Sequence, residues 1–450
     1  MRHIEFSKIN EASVFLRGEY VGDLEKKSED HFVFSYSEAW IKGKAIDIAT
    51  SLPVSGEGYV STKLHPFFDN LIVEGWLLGY AEKVFHIDKK NRFAMLLATG
   101  ETTIGAVSVR PIIDGSVVSL HEFYKEELED GGLKSYDVSS NRPEVCPYCL
   151  NTLEEKDKKN FHLKCSRNMW GTTRDIKLFL EGKKPLNSFQ KTVYGGSVSG
   201  AQRKGLFRLN GNKLTPNSYG AQYILKPHGD YDELPENEHA TMIIANEAGF
   251  KVPPVVILNV ENVGKIYAVK RFDIVDGVSL KKEDMAQVLK VFSEDKYESS
   301  CEKVARAIMA HSSAPRLDLV DFWRRLLFCY LTANADMHLK NWSLLENKKL
   351  NNHWELAPCY DLLNTRIPIP RESLDIGLTI KGKKRNLQKS YFVKFAQQYD
   401  IPAKIVDKGF EDIEKWLEII KKVIPKSFLS EEAKEEYINI AQKRYNILNG

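Results

Sequence analysis

The sequence predicts an α+β protein built from a small mixed unit, a mixed lobe and a helical lobe. Three observations predict it. Apolar and polar residues alternate between 12 and 36. Short apolar runs surround one amphipathic helix between about 205 and 273, and apolar residues recur at three- and four-residue spacing from about 284 onward. With 450 residues, 43% hydrophobic and 28% charged, the chain can bury a large core divided among two or three domains.

The elements follow in order. "ASVFLRGEYVG" and "HFVFSY" read as a meander of short strands, turning first at Arg17-Gly18-Glu19. "HPFFDNLIVEGWLLGYAEKV" turns helical, and "RFAMLLATG" with "TTIGAVSVRP" adds a helix and a strand, closing a first unit over 1–112. Residues 113–145 are rich in charge, Gly and Ser and read as a linker. A Cys/His-rich leader spans 146–172. The mixed lobe, 173–283, has strand candidates "LFRL", "AQYILKP", "PPVVILNV" and "KIYAVKRFD" around the helix "ENEHATMIIANEAGF". The last unit, 284–450, is helical almost throughout, as in "VDFWRRLLFCYLTANA" and "GFEDIEKWLEIIKKVI".

Composition removes several function classes. Lys plus Arg number 64 against 61 Asp plus Glu, and a net charge of +3 over this length does not make nucleic acid the main ligand. The start, "MRHIEFSKIN", lacks the apolar core of a secretory signal, and every apolar stretch is interrupted by charge before it could span a bilayer, so a cytoplasmic protein with no membrane contact is expected. Six cysteines do not make a disulfide framework, and Cys301, Cys329 and Cys359 sit in apolar settings that suit reduced core thiols.

Chemistry is concentrated in "TANADMHLKNW" and what surrounds it. Phosphoryl transfer needs a positioning carboxylate, metal ligands, a lysine on the phosphates and a cover of backbone N–H groups. The chain offers them in order: the Gly/Ser-rich "YGGSVSGAQRKG", Lys226 ending a strand, Glu238 opening a helix, Asp336 five residues before Asn341, then Asp361. The Asp-to-Asn spacing equals that of the protein-kinase loop H-R-D-x-x-x-x-N. Each piece alone is ordinary: a turn, a solvated lysine, a helix cap. Their joint order favours function.

The motifs "SVSGAQRK", "YILKP", "ENEHATMIIANEAGF", "KRFD", "DMHLKN" and "PCYDLLNT", with "HPFFDNLIVEGW" and "FAMLLATGETTIGAVSV" upstream, resemble the HipA family of bacterial serine/threonine kinases, toxins of HipBA- and HipBST-type toxin–antitoxin pairs. The arrangement resembles a HipS-like small domain fused to a HipT-like kinase. This implies a HipA-like kinase fold with a nucleotide-binding lobe and a mostly helical C-terminal lobe. It also implies ATP and Mg2+ as cofactors and growth arrest by phosphorylation of a protein, an aminoacyl-tRNA synthetase. A helix-turn-helix antitoxin, with operator DNA bound indirectly, is the implied partner.

By the same resemblance, Asp336 is catalytic and Asn341 and Asp361 hold magnesium. ATP would be bound by Lys226, oriented by Glu238, by Val198, Ser199 and Gly200 of the loop, and by Lys270, Arg271 and Phe272 in the segment Ala268 to Asp273, whose backbone would hydrogen-bond the adenine and whose Phe272 would give it an apolar surface. His338 and Lys340 would support the loop or contact phosphate. Ser197 and Ser199 are the implied autophosphorylation sites, through which the enzyme inactivates itself. Two positions depart from the pattern: Met337 stands where glycine is common and Ile274 where arginine is common; neither removes a chemical group. A non-catalytic regulator on a kinase fold and a kinase of small molecules or lipids are the alternatives. Residues 1–112 are expected to influence activity in cis; the alternative is that they are a structural buttress.

Cys146, Cys149, His162 and Cys165 read C-x2-C-x12-H-x2-C, a nitrogen and sulfur set suited to tetrahedral Zn2+. The alternative is a Cys- and aromatic-rich leader that packs without metal.

Overall fold

The computed structural model describes every residue except 1–3, 129–131, 137, 139–142, 155–158, 199, 201, 349–352 and 450. The alternating N-terminal pattern forms β1 (Glu11–Leu16), β2 (Glu19–Ser28) and β3 (His31–Tyr36). Their buried positions, such as Val14, Leu24 and Phe34, face one core. With β4 (Tyr59–Ser61), β5 (Val107–Ile113) and β6 (Ser116–Val117) they make an antiparallel sheet ordered β4-β3-β2-β1-β5-β6. Packed with it are α1 (Glu38–Gly43), capped by the Ser37 side chain, α2 (Pro66–Asp69), α3 (Gly75–Phe85) and α4 (Arg92–Thr99). The segment expected to run as one helix is two, because residues 70–74 leave helical geometry; they bring Asn70 and Glu74 to Lys340.

The expected boundary at 112 falls inside β5. The first core continues through α5 (Leu120–Phe123) and the short α6 (Lys125–Leu128) follows, and that core also takes in Val193, Tyr194 and Val198 from the Gly/Ser-rich segment. Part of the expected linker also forms structure. β7 (Leu133–Tyr136) pairs antiparallel with β8 (Lys177–Glu181). After α7 (Leu163–Trp170), the second sheet collects β9 (Gly205–Asn210), β10 (Lys213–Pro216), β11 (Tyr223–Pro227), β12 (Val255–Val260) and β13 (Gly264–Lys270), ordered β12-β13-β11-β9-β10-β8-β7. α8 (Leu234–Glu247), with Pro235 in its first turn, is buried on nearly every side, so its hydrophobic stripe is weak in sequence terms.

The hairpin β14 (Ile274–Val275) and β15 (Val278–Ser279) leads to the helical lobe. That lobe is less purely helical than its periodicity suggests: β16 (Lys282–Asp284), β17 (Ser343–Glu346) and β18 (Trp354–Leu356) form a three-stranded sheet beside α9 (Met285–Val288). Around them lie α10 (Cys301–His311), α11 (Pro315–Leu331), α12 (Lys389–Gln398), α13 (Ala403–Val423) and α14 (Glu431–Asn449). α13 buries Phe410, Ile413, Trp416, Leu417 and Ile420 at three- and four-residue spacing, each such side chain being worth about 1.5–3 kcal/mol. All six cysteines are free, and Cys301, Cys329 and Cys359 are buried. Among the described residues no helix is long and apolar enough to cross a membrane.

Candidate active site

α11 ends in a Schellman motif. The N–H of Asn334 donates to the Cys329 carbonyl at 2.8 Å and that of Ala333 to Tyr330 at 3.1 Å, with Ala333 at φ 54°. The next residues are then fixed one by one. The Asn334 side chain accepts from the Asp336 N–H at 3.1 Å, Thr365 Oγ1 accepts from the Ala335 N–H at 3.2 Å, and Asn341 Nδ2 donates to the Asp336 carbonyl at 2.9 Å. Gly377 lies against the loop from the other side, where a Cβ would fall 2.7 Å from the Met337 carbonyl carbon. The Asp-to-Asn spacing thus closes a tight loop in which Asn341 holds the backbone of Asp336. Its Oδ1 is left as the atom that could meet a cation.

Lys226, at the end of β11, sits opposite Tyr267 in the sheet and is buried. Its Nζ donates to both oxygens of Glu238, on α8, at 2.7 and 2.9 Å and to Asp361 Oδ1 at 2.5 Å. Burial works against charge on all three groups. For Lys226 the carboxylates overcome it and hold the ammonium above its ordinary pKa. For Asp361, Lys226 and Lys204 overcome it and hold the carboxyl well below the usual range. Glu238 is pushed up to about 7 by burial despite Lys226. Asp361 adopts φ 53°, a left-handed conformation sparse for side-chain-bearing residues and one that functional sites often hold.

Asp336 faces the same cleft. Burial pushes its pKa up, and its carboxylate accepts a hydrogen bond from the Tyr297 hydroxyl. His338 packs edge-on against Tyr297 with ring centroids 4.8 Å apart. Burial and then Lys296 bring its pKa down to about 3, which keeps it neutral. The cleft encloses about 640 Å³. Val198, Gly200, Lys270, Phe272, Asn341 and Asp361 contribute to its walls, and Phe272 lies 5.4 Å from the Tyr360 ring.

Two of the expected site residues have side chains held by other parts of the protein. Lys340 is turned away into protein: its Nζ meets Glu74 Oε1 at 2.8 Å and Asn70 Oδ1 at 3.0 Å. Arg271 is committed to Asp273 at 2.6 Å and to the Thr103 carbonyl at 3.1 Å. Both line the cleft, and these contacts tie the N-terminal unit to the rest of the chain. Ser197 is buried; its hydroxyl donates to the Leu71 carbonyl and its N–H to Thr102 at 2.8 Å. Ser199 lies outside the described residues. The Cys/His leader residues come together in a cluster apart from the cleft lining.

Several residues in or around the cleft escape sequence reasoning. Lys204 is buried in the cleft, where burial and then Lys226 lower its pKa to about 8. Its signal was the second basic residue after the Gly/Ser turn. Asn237, one residue before Glu238, exchanges hydrogen bonds with the Asn364 backbone at 2.8 and 2.9 Å. Thr365 donates to Ala333 at 2.7 Å, so "DLLNT" ties α8 to the catalytic loop.

Among oxygen donors, the Asp361 carboxylate and the Asn341 amide suit a hard cation such as Mg2+. Two buried ammonium groups, Lys204 and Lys226, suit a polyphosphate.

A Sinorhizobium fredii protein named "Putative kinase Y4dM" is 25% identical over 431 residues, covering 91% of each chain. A Haemophilus influenzae protein named "Putative kinase" is 27% identical over 287 residues, 57% of this chain and 82% of its own. The Shewanella oneidensis MR-1 toxin–antitoxin HipA, solved with HipB and operator DNA, superimposes with a TM-score of 0.70 at 20% identity, over 98% of this chain and 97% of that one, and so has the same fold. The family model for the HipA N-terminal domain matches residues 12–110 and that for the HipA-like C-terminal domain residues 196–422, so the chain belongs to the HipA family.

Proposed function

We propose that this chain is an ATP- and Mg2+-dependent serine/threonine protein kinase. The observation that carries the reading is the Lys226 bridge between Glu238 and Asp361, facing Asp336 across one cleft. Asp336 would orient or deprotonate the substrate hydroxyl. Lys226 and Lys204 would grip the phosphates, and Asp361 and Asn341 would hold magnesium, which when bound neutralises charge on the phosphoryl oxygens. The substrate we propose is a protein, of the aminoacyl-tRNA synthetase class that the family resemblance implies. The partner is a helix-turn-helix antitoxin, a reading supported by the Shewanella HipA having been solved with HipB and operator DNA.

The test is ATP turnover by the purified chain with magnesium, beside Lys226→Met, followed by a phosphoproteome on induction. Turnover lost in the variant and new phosphoserine or phosphothreonine on one protein are expected. No turnover, or phosphate appearing on lipid or small molecules alone, would sink the reading.

Lys204 gives a pH signature. Its ammonium is lost as pH rises through about 8, so kcat/KM for ATP should fall on that limb. Lys204→Met should raise KM by about ten-fold or more, the worth of one charge-assisted hydrogen bond, and flatten the limb. An unchanged alkaline limb would remove Lys204 from phosphate binding.

Autophosphorylation at Ser197 or Ser199 is part of the proposal. Because Ser197 is buried against Leu71 and Thr102, the loop must first leave the N-terminal unit. A phosphate of about −1.5 to −2 charges could not return to that buried site, so modification would hold the loop out and stop ATP binding. Peptide mapping after incubation with ATP and magnesium should find phosphate on this loop, and none in an inactive variant. An unmodified loop in an active enzyme would exclude self-inactivation.

A further inference from the structure

The four residues of the Cys/His leader come from two pieces of chain that the fold brings to one point. Residues 144–153 form a small knuckle. Val145 bridges Thr152, the Cys146 N–H donates to Asn151 at 2.9 Å, and the N–H groups of Cys149 and Leu150 return to the Cys146 carbonyl at 3.2 and 2.8 Å. Leu150 takes φ 56°, which turns the chain immediately after the second cysteine. The other two residues sit at the start of α7, where His162 is the N-cap and Cys165 lies in the first turn. One donor atom from each of Cys146, Cys149, His162 and Cys165 lies within 4.8 Å of all the others.

That spacing has a specific meaning. With Zn–S about 2.3 Å and Zn–N about 2.0 Å, a tetrahedral site has S···S edges of about 3.8 Å and S···N edges of about 3.5 Å. Here His162 Nδ1 stands 3.4 Å from Cys149 Sγ and 3.9 Å from Cys165 Sγ. His162 Nε2 is 3.3 Å from the Thr152 carbonyl, which can only accept, so the ring proton sits on Nε2 and the Nδ1 lone pair faces the sulfurs. Three sulfurs and an oriented imidazole in one cluster exceed what a disulfide would use. An odd thiol and a histidine would be left over.

The knuckle is also packed against α8. The Pro147 carbonyl, between the first two cysteines, accepts from the Ile257 N–H on β12 at 3.4 Å and lies near the buried His239 ring. His239 is the neighbour of Glu238. Leu150 shares one core with Ala240, Ile243 and Ile244 of α8.

We propose that Cys146, Cys149, His162 and Cys165 hold one Zn2+ as a structural centre that braces α8 from outside the cleft, and so fixes the helix that carries Glu238. The ion is a closed four-ligand site with no position for water or substrate, so its role is mechanical. Binding energy at such a site is folding energy, and it keeps the leader docked where the apolar contacts of a short knuckle alone are few.

The full-length chain, purified from zinc-supplemented reducing medium, should contain about one zinc per chain, released together with three thiols by a mercurial reagent. Cobalt substitution should give the visible bands of a tetrahedral thiolate site. His162→Ala should lose the metal, whereas His162→Cys, which keeps four ligands, should retain it; this pair guards against a variant that merely unfolds. On chelation, amide exchange should rise in α8 more than in α13. Zinc near zero with free thiols intact, or equal zinc in His162→Ala, would overturn the site. Zinc lost with α8 exchange unchanged would overturn the bracing.

Discussion

Asp336→Asn is expected to lower phosphoryl transfer by about a hundred- to ten-thousand-fold, the usual contribution of a positioned general base, with the fold intact. The two effects separate because the native carboxylate is held at a cost. Burial raises the pKa of Asp336 in the folded chain. A raised carboxyl contributes stability that is fully present below its unfolded pKa and lost as pH rises through the folded one, so at neutral pH the ionised group opposes folding. Asparagine keeps an oxygen for the Tyr297 hydroxyl and removes the charge. The variant should therefore unfold at an equal or higher denaturant concentration than the wild type at neutral pH, and lose the wild type's gain in stability between neutral pH and the ordinary Asp range. If Asp336 were instead a structural cap, the variant would be less stable and still active.

Glu74→Ala should cost about 3–5 kcal/mol of stability, the usual effect of removing one partner from a buried ion pair. Glu74 belongs to the N-terminal unit, yet it meets Lys340 at 2.8 Å and Lys296 at 3.0 Å, and Lys340 is almost wholly buried. Lys340 stands between Asp336 and Asn341, so an ammonium left with Asn70 and the more distant Asp284, at 3.8 Å, would be driven toward water and carry the loop with it. Activity should fall with stability. The double variant Glu74→Leu with Lys340→Met should recover most of the stability, since a buried pair replaced by apolar groups of similar volume is often neutral. Denaturant titrations of the four-member cycle decide it, and additive losses would show that the pair does not couple the units. A rise in activity for Glu74→Ala would mean that the N-terminal unit restrains the loop instead of completing it.

The Glu74 contact also bears on the expectation that residues 1–112 act in cis. Thr102 accepts from the Ser197 N–H and donates to Gly195 at 2.6 Å, Arg203 stacks over Trp76 at 5.0 Å, and the Gly105 N–H donates to Asp273 at 2.8 Å. A chain lacking the unit would take from Lys340 its nearer carboxylate, Glu74, and leave Asp284 at 3.8 Å. Point variants at Glu74 and Thr102 therefore probe the coupling more cleanly than truncation.

The sequence by itself determined the period of each long element and the order of the reactive groups. The meander, α11 and α13 carry strong local patterns, and Lys226, Glu238, Asp336, Asn341 and Asp361 stand in kinase order. The C-x2-C and H-x2-C spacings are local too, so the cluster was legible before any fold was known. Short strands were not: β10 reads "KLTP" and β18 only three residues, too few to establish a period. Only the tertiary structure decided which charges meet. Lys340 finds Asn70 across 270 positions, and Arg271 finds Thr103 across 168. Periodicity records which face of an element is buried, but a buried charge is governed by its partner. Asn70 and Thr103 belong to the N-terminal unit, so that unit holds Lys340, which the resemblance expects to support the loop or contact phosphate, while Lys204 is buried in the cleft wall.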